Sequence, residues 1–547
     1  QEDGPIKTIQ QAINEADAGC VIKISPGLYQ ENLKINKPSI RLEPKEKIGD
    51  IIIIGSKGPV ILIDLQKQEK CHLLGLKLAH TGMTDEFQNS KNNTEQHERD
   101  KNSKVHQIQT TPEKELVNYF HINKHVHSIV TIFGGKLFIE DCLLSLNFIV
   151  YTFKQLLPAI LVNEQSELIL NRSEIKGHQS QETIGVLVQN GDVLIKDCKI
   201  HNHRAGGIHI LSQQTNFIKI LNTKILQNDK VGIQCQGVDS RAVIEGNRIE
   251  RTKGPGIRTG IANKSSIVRN EIRLNSPGIE IISSDPYIMD NKIDKNNTSG
   301  IVSLVFQDYR CDGRIKSNIS ISGNKQYGIS CSGIKNYTKI EQNQCISYNK
   351  KSGIRADENA EIAIYKNNIS KNLGQGVLLV ETSSAIVEKN EIYDNLKANI
   401  ALGGSNSVDT LIVDNIIHSG RCEGIFIIDG GKTWIIRNKI YENNDGIISV
   451  TSIPVIQNNQ IYNNKSHGVM FIKDSRPDFS NNQVYNNDCV GIFIRDKSNG
   501  VIKKNDVYDN KIQLIVEKRQ QCLANIREQN NLQGDVRIPQ NYDCNIF

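Results

Sequence analysis

Hydrophobic and polar residues alternate along most of this chain in short runs, and the runs come in threes, as at Thr433 to Ile436, Lys439 to Tyr441 and Gly446 to Val450. Each run is too short for a helix and has the period of two expected of a strand. The triplet recurs as a unit that reads apolar-x-x-Asn-x-Ile, then about six polar residues, then Gly-Ile-x-apolar. Its asparagines are Asn247, Asn270, Asn291, Asn318, Asn343, Asn367, Asn390, Asn415, Asn438, Asn459, Asn482 and Asn505, a mean spacing of about 23.5 residues. Weaker copies upstream carry Cys142, Ser173, Cys198 and Thr223 in the asparagine slot.

Three strands per turn of about 23 residues predict an all-β fold, a right-handed parallel β-helix of about 18 coils. In it each strand pairs with its equivalent one coil away at about 4.8 Å. The asparagine slot is expected to supply a positive φ in a tight turn and a carboxamide that hydrogen-bonds from coil to coil as a ladder. Ile6, Ile9, Ile13 and Ala16 mark one face of a short helix that caps the first coil. The expected organisation is a capping helix in 1–20, first coils in 21–80, a polar insertion in 81–118, coils in 119–516 and an irregular C-terminal cap in 517–547.

The chain has 547 residues, long for one compact domain but not for a repeat array. Only 5% of residues are aromatic, so the core is aliphatic. Lys plus Arg exceed Asp plus Glu by 66 to 60, and the charges are dispersed, which argues against a nucleic-acid track or a membrane patch. No window is apolar enough for a membrane-spanning helix. The twelve cysteines show no C-x-x-C pair and read as reduced thiols, from which a cytoplasmic location, cytosolic or cytoskeleton-associated and with the nucleus left open, is expected. The first residue is Gln1 rather than Met, which leaves open a domain upstream.

The residue after the repeated glycine is Ile or Val in thirteen coils, from Ile208 through Ile301 and Ile400 to Ile492, which marks it as inward-facing. The next residue must point outward. In the early coils this column is mostly polar: His209, Gln234, Arg258, Glu280, Val302, Ser330 and Arg355. In the late coils it is apolar: Leu378, Ala401, Phe426, Ile448, Met470 and Phe493, with Val380, Ile428, Val450 and Ile472 two residues further on. Such a double stripe is the bed of the C-terminal tail or a loop, a site for another protein, or an exposed stripe without a role. A second stripe, Tyr393, His418, Tyr441, Tyr462, Tyr485 and Tyr508, is expected to stack ring on ring.

Enzymatic chemistry on a polysaccharide would need converging carboxylates, or acid-bound calcium with a basic residue. No Asp-Asp pair is present, and Arg314-Ile315-Lys316 matches a polygalacturonase tripeptide without its partners. His201, His203, Arg204 and His209, with Glu280, form the best polar cluster, and His121, His125 and His127 a weaker one. Neither has metal-ligand spacing, so no metal and no cofactor are expected.

Two resemblances bear on function. Thr8-Ile9-Gln10, Ala12-Ile13 and Ile24-Ser25-Pro26-Gly27-Leu28-Tyr29 resemble the opening of pectate-lyase-like and carbohydrate-binding/sugar-hydrolase β-helix domains. Gly424-Ile425-Phe426-Ile427, the run Trp434 to Tyr441, and Gly491-Ile492-Phe493-Ile494 are similar to repeats of the β-helical F-box-only substrate adaptors, over about residues 120 to 525. That likeness implies recruitment of a partner protein in a ubiquitin-ligase setting, although no F-box is recognisable. The reading carried forward is a non-enzymatic, protein-binding solenoid, a scaffold or recruiting module in a large cytosolic or cytoskeletal assembly. Its partner would dock on Leu378, Val380, Phe426, Ile428, Ile448, Val450, Met470, Ile472 and Phe493. The second reading is a secreted polysaccharide lyase or hydrolase, which would show carboxylates on the outward strand face and disulfides among the cysteines.

Overall fold

The computed structural model describes residues 6–56, 58–81, 127–147, 156–212, 216–307, 309–404, 410–517, 526 and 529–537. The chain divides into two units, Gln1–Gly254 and Pro255–Phe547, each built the same way. In the first, strands Ser166–Asn171, Glu174–Lys176 and Thr183–Gln189 form one coil, and each pairs in parallel with its equivalent in the next, Asp192–Lys196, Lys199–His201 and Gly206–Leu211. In the second, Thr433–Ile436, Lys439–Tyr441 and Ile447–Val450 pair with Val455–Gln457, Gln460–Tyr462 and Val469–Ile472. Each unit therefore has three parallel sheets around one lumen, with strands buried on one face and alternating as the sequence predicts.

The thirteen inward residues, twelve after a glycine and Ile400 after Asn399, are all completely buried. Stacked isoleucines fill the lumen, joined in the late coils by Phe471 and Phe479, whose rings meet edge to face at 5.7 Å. The polar insertion expected at 81–118, together with His121 and His125, lies outside the described residues apart from Thr81.

The asparagine ladder is present, but its turn is made differently from the expectation. The positive φ belongs to the residue before each asparagine: Lys366 (φ 53°), Lys389 (55°) and Arg437 (54°) precede Asn367, Asn390 and Asn438. The asparagine is needed for its carboxamide. Asn367 Oδ1 accepts from Asn343 N (3.0 Å) and Asn343 Nδ2 (2.8 Å), while its own Nδ2 donates to Asn390 Oδ1 (3.0 Å) and to Ile340 O (2.8 Å). A buried amide so placed has its hydrogen-bonding capacity met. In the first unit smaller groups serve: Cys142 N donates to Ser173 Oγ (3.1 Å), Cys198 N to Thr223 Oγ1 (3.3 Å), and Thr223 N to Asn247 Oδ1 (2.8 Å). Burial pushes the Cys142 thiol up to about 12 and Cys198 up to about 11, so both stay protonated.

A second ladder, not anticipated, runs five or six residues later through Asn275, Asn296, Asn324, Asn349, Asn372 and Asn395, then Asn443, Asn464, Asn487 and Asn510. It explains the repeated glycine. A Cβ on Gly278 would lie 2.8 Å from Asn296 Nδ2 and 2.6 Å from Gly300 O, so the carboxamide and the next strand occupy the space a side chain would need.

At the front, Ile9–Glu15 is the only α-helix of the first unit among the described residues. Thr8 Oγ1 accepts from Gln11 N, and the Glu31 carboxylate accepts from Ile9 N and Gln10 N (both 2.9 Å), satisfying donors the helix leaves open. Ile9 and Ile13 are buried, whereas Ile6 lies before the helix and is exposed. At the back, the expected irregular cap gives way to strands Asn531–Gln533 and Val536–Arg537, which pair with Asp506–Tyr508 and Ile512–Val516. Asn530 Oδ1 accepts from Asn505 N and Nδ2, extending the first ladder.

Candidate functional site

The third strand of each coil carries the outward columns singled out in the sequence. In the first unit, His209 and Gln234 are buried. The three histidines of that region do not converge. His201 Nε2 lies 2.7 Å from Glu174 Oε1, and His203 sits in the interior, where burial pushes it down to about 3 and keeps it neutral. Burial raises Glu174, but hydrogen bonds from Lys199 and His201 outweigh this and hold it below the usual carboxylate range. His127 accepts from Gly58 N at 3.2 Å. Arg314-Ile315-Lys316 is a first-sheet strand with Arg314 Nε 2.5 Å from Glu341 Oε2, a structural pairing. Among the described residues no group of three His, Cys, Asp or Glu is arranged to hold a metal ion, and no helix is long and apolar enough to cross a membrane.

In the second unit the same column begins polar and half-buried. Arg258 Nε is 2.5 Å from Glu280 Oε2. Four strands further on, Arg355 donates from Nη1 to Tyr327 Oη (3.1 Å) and from Nη2 to Asp357 Oδ2 (2.6 Å), with its guanidinium over the Tyr327 ring. Asp357 Oδ1 and Arg355 Nε are buried without a hydrogen-bond partner among the described residues.

The late apolar columns have the predicted register: Ala401, Phe426, Ile448, Met470 and Phe493 are successive partners. Four of the nine residues expected to dock a partner are buried. Val450, Met470, Phe493 and Ile448 are only 4 to 9% exposed, packed with Val490, Ile512 and Ile515, and Phe426, Ile472 and Cys489 lie against them. Leu378 and Val380 are half-buried, and Ile428 at 36% is the most exposed of the nine. The physical reason is the stacking itself: side chains one strand spacing apart cover one another, and the residues before each glycine close the flank.

Those flanking residues hold what the sequence reading missed. The positions just before the repeated glycine in three consecutive coils are Glu423, Asp445 and His467, joined backbone to backbone by Gly424 N to Asp445 O (2.8 Å) and Gly446 N to His467 O (2.9 Å). His467 Nδ1 is 2.9 Å from Asp445 Oδ1 and 2.7 Å from Ser466 Oγ, its backbone N donates to the same Oδ1 (3.1 Å), and Asn444 Nδ2 donates to Asp445 Oδ2 (2.9 Å). Burial would raise Asp445, yet the hydrogen bonds and charge of His467, with Ser466, hold it below the usual aspartate value. Glu423 moves the other way: burial raises it and the neighbouring Asp445 charge adds to that. Columns counted backward from the glycine would have exposed this trio, since 22 residues separate each member from the next.

A family profile described as the right-handed β-helix region matches residues 158–306, 309–453 and 397–532, together more than half of the chain. No curated protein matches. Among solved structures, a point variant of the periplasmic alginate epimerase AlgG aligns at 13% identity and TM-score 0.32 over 65% of this chain and 77% of that one. A mannuronan C-5 epimerase A-module of Azotobacter vinelandii aligns at 12% and 0.25 over 75% and 92%. The family 28 exopolygalacturonase of Yersinia enterocolitica aligns at 11% and 0.25 over 92% and 75%. These likenesses are of the fold. By name the neighbours are polysaccharide epimerases, a polygalacturonase and an alginate lyase, against the expectation of a non-enzymatic protein-docking module, which is not carried forward. The profile covers the repeat region and carries nothing of the F-box adaptors. The repeat, the ladders and the match over most of the coils lead to one conclusion: the chain belongs to the right-handed β-helix family.

Proposed function

We propose that the chain is a carbohydrate-active β-helix that cleaves a polysaccharide at Glu423 and Asp445. One observation carries the reading: two carboxylates on adjacent coils whose surroundings drive their protonation in opposite directions. Such a split assigns an acid and an ionised partner. Glu423 is the proton donor to the glycosidic oxygen. Asp445, held in place by His467, attacks the anomeric carbon as the bond to the leaving sugar breaks; water deprotonated by Glu423 then releases the bound sugar. Adjacent strands lie about 4.8 Å apart, closer to the carboxylate spacing of retaining enzymes, about 5 to 5.5 Å, than to the wider gap of inverting ones. Outward columns repeating at one spacing suit a linear polymer. The carboxylates Glu280 and Asp357 on the outward face agree with this reading, whereas the ten described cysteines are free thiols and lend it nothing.

Release of reducing ends from a polysaccharide panel tests the proposal. Glu423→Gln and Asp445→Asn should each lower the rate by about 10²-fold or more, with circular dichroism unchanged. Activity should be greatest on the acid side. It should fall as pH drops through the lowered value of Asp445, which must be ionised, and as pH rises through the raised value of Glu423, which must be protonated. Full activity in Glu423→Gln would end the assignment.

A further inference from the structure

Charges that look dispersed along the chain gather in the turns between the second and third strands of each coil. In five consecutive turns of the second unit, 323–328, 348–353, 371–376, 394–399 and 419–424, six cations stand against two carboxylates, Asp394 and Glu423. The cations are Lys325, Lys350, Lys351, Lys371, Lys397 and Arg421, all exposed. Stacking aligns them in a ridge: Lys350 N donates to Asn324 O, Lys351 N to Gln326 O, Gly374 N to Lys351 O, Lys397 N to Gly374 O and Arg421 N to Asn395 O, at 2.9 to 3.3 Å. Among the described residues none of the six is in an ion pair, whereas Arg314, Arg355 and Lys389 of the same coils each have a carboxylate partner. Lys351 and Lys371 lie 5.0 and 5.9 Å from the ring centres of Tyr327 and Tyr348, contacts that place an ammonium without neutralising it. In the three turns that follow, 442–446, 463–468 and 486–491, the balance reverses: Lys465 is the one lysine or arginine, against Glu442, Asp445 and Asp488. The reversal falls at Glu423 and Asp445.

Unpaired cations one strand spacing apart, about 4.8 Å, repel one another and attract a chain with regularly placed negative charges. Such a chain is held on the side of Lys325 to Arg421 and disfavoured beyond Asp445, so it meets the pair from one direction. Five of the six cations are lysines. A lysine is a compact point charge, suited to the tetrahedral oxygens of a sulfate ester, whereas a planar carboxylate is matched best by the arginine fork. A sulfate ester also stays ionised on the acid side, where the pair is expected to act and where carboxylates, with ordinary values of about 3.5 to 4.3, begin to lose charge. Nucleic acid fits less well, since Tyr327 and Tyr348, the rings on the ridge, are engaged by Lys351, Arg355 and Lys371 rather than open to stack on bases. We infer that this ridge binds a sulfated glycan and leads it from the Lys325 side to Glu423 and Asp445; cleavage of that glycan rests on the reading of the pair given above.

The full chain is run by affinity electrophoresis, on the acid side of neutrality, in gels containing heparin, carrageenan or fucoidan, each beside its desulfated form, and in gels containing polygalacturonate or single-stranded DNA. Reducing-end release is measured on the same polymers. At least one sulfated glycan should retard the protein at a concentration about tenfold lower than its desulfated form or polygalacturonate does, an advantage that added salt reduces. Lys350→Gln, Lys351→Gln and Lys397→Gln together should weaken that retardation about tenfold, while Lys465→Gln, beyond the reversal, should leave it unchanged. Tighter binding of DNA, or retardation by no sulfated glycan, overturns the ligand class, and unchanged binding by the triple variant overturns the ridge. Polygalacturonate bound more tightly and cut only with Glu423 intact overturns the ligand and keeps the acid–base pair. A sulfated glycan bound through the three lysines but not cut keeps the ridge and removes the acid–base assignment.

Discussion

Asn399 and Gly420 show how one residue's chemistry depends on another a coil away. Asn399 stands where the repeat has glycine, and Gly420 where the second ladder has asparagine. The Asn399 side chain fills the missing rung: its Nδ2 donates to Asn443 Oδ1 (2.9 Å) and its Oδ1 accepts from Asn395 Nδ2 (2.9 Å). A Cβ on Gly420 would sit 2.8 Å from Asn399 Nδ2. Asn399→Gly should therefore cost about 1–3 kcal/mol for the buried amides left unpaired, and Gly420→Asn a similar amount by overpacking. The double variant restores the repeat and should recover most of both losses, a coupling that denaturant titration of the four proteins measures. Titration at single residues also sets acid sensitivity in the first unit. Burial lowers His80 to about 4 and His203 to about 3, so the folded state keeps both neutral while the unfolded chain takes up protons. The stability this neutrality carries is intact above about 6.5, is lost as pH falls toward 4 and 3, and His203→Leu should flatten the slope of unfolding free energy against pH.

Whole strands gain from stacking what single residues cannot supply. Tyr393, His418, Tyr441, Tyr462, Tyr485 and Tyr508 stack along the second sheet with ring centroids 4.9 to 5.0 Å apart and nearly parallel planes, as the sequence stripe predicts. Tyr462 makes two of these pairs. Its replacement by alanine should cost about 1–3 kcal/mol, against about half that for Tyr508→Ala at the end of the stack, where one pair is lost; a smaller loss at Tyr462 than at Tyr508 would refute the stack as a cooperative element. The ladders work in the same way, since each amide both donates to and accepts from its neighbours.

Across the chain, function depends on which columns of the repeat meet. Period, strand positions and the inward isoleucines were legible because each coil obeys the same local rule, two residues per pleat and one polar rung per turn, and the sequence repeats that rule many times over. The second asparagine ladder lay within polar segments of varying length, so spacing alone hid it. The left-handed residue of each turn is the one before the asparagine, a position with no fixed residue type and so no signal in the repeat. The sequence by itself thus determined the architecture and the order of side chains in every column, because periodicity is a local property. Only the tertiary structure decided that Ile448, Val450, Met470 and Phe493 of the late apolar columns are buried by their own neighbours, and that Glu423 and Asp445, 22 residues apart in the chain, stand on adjacent coils in surroundings that shift their proton affinities in opposite directions. Burial and electrostatic coupling are sums over coils, and no single coil contains them.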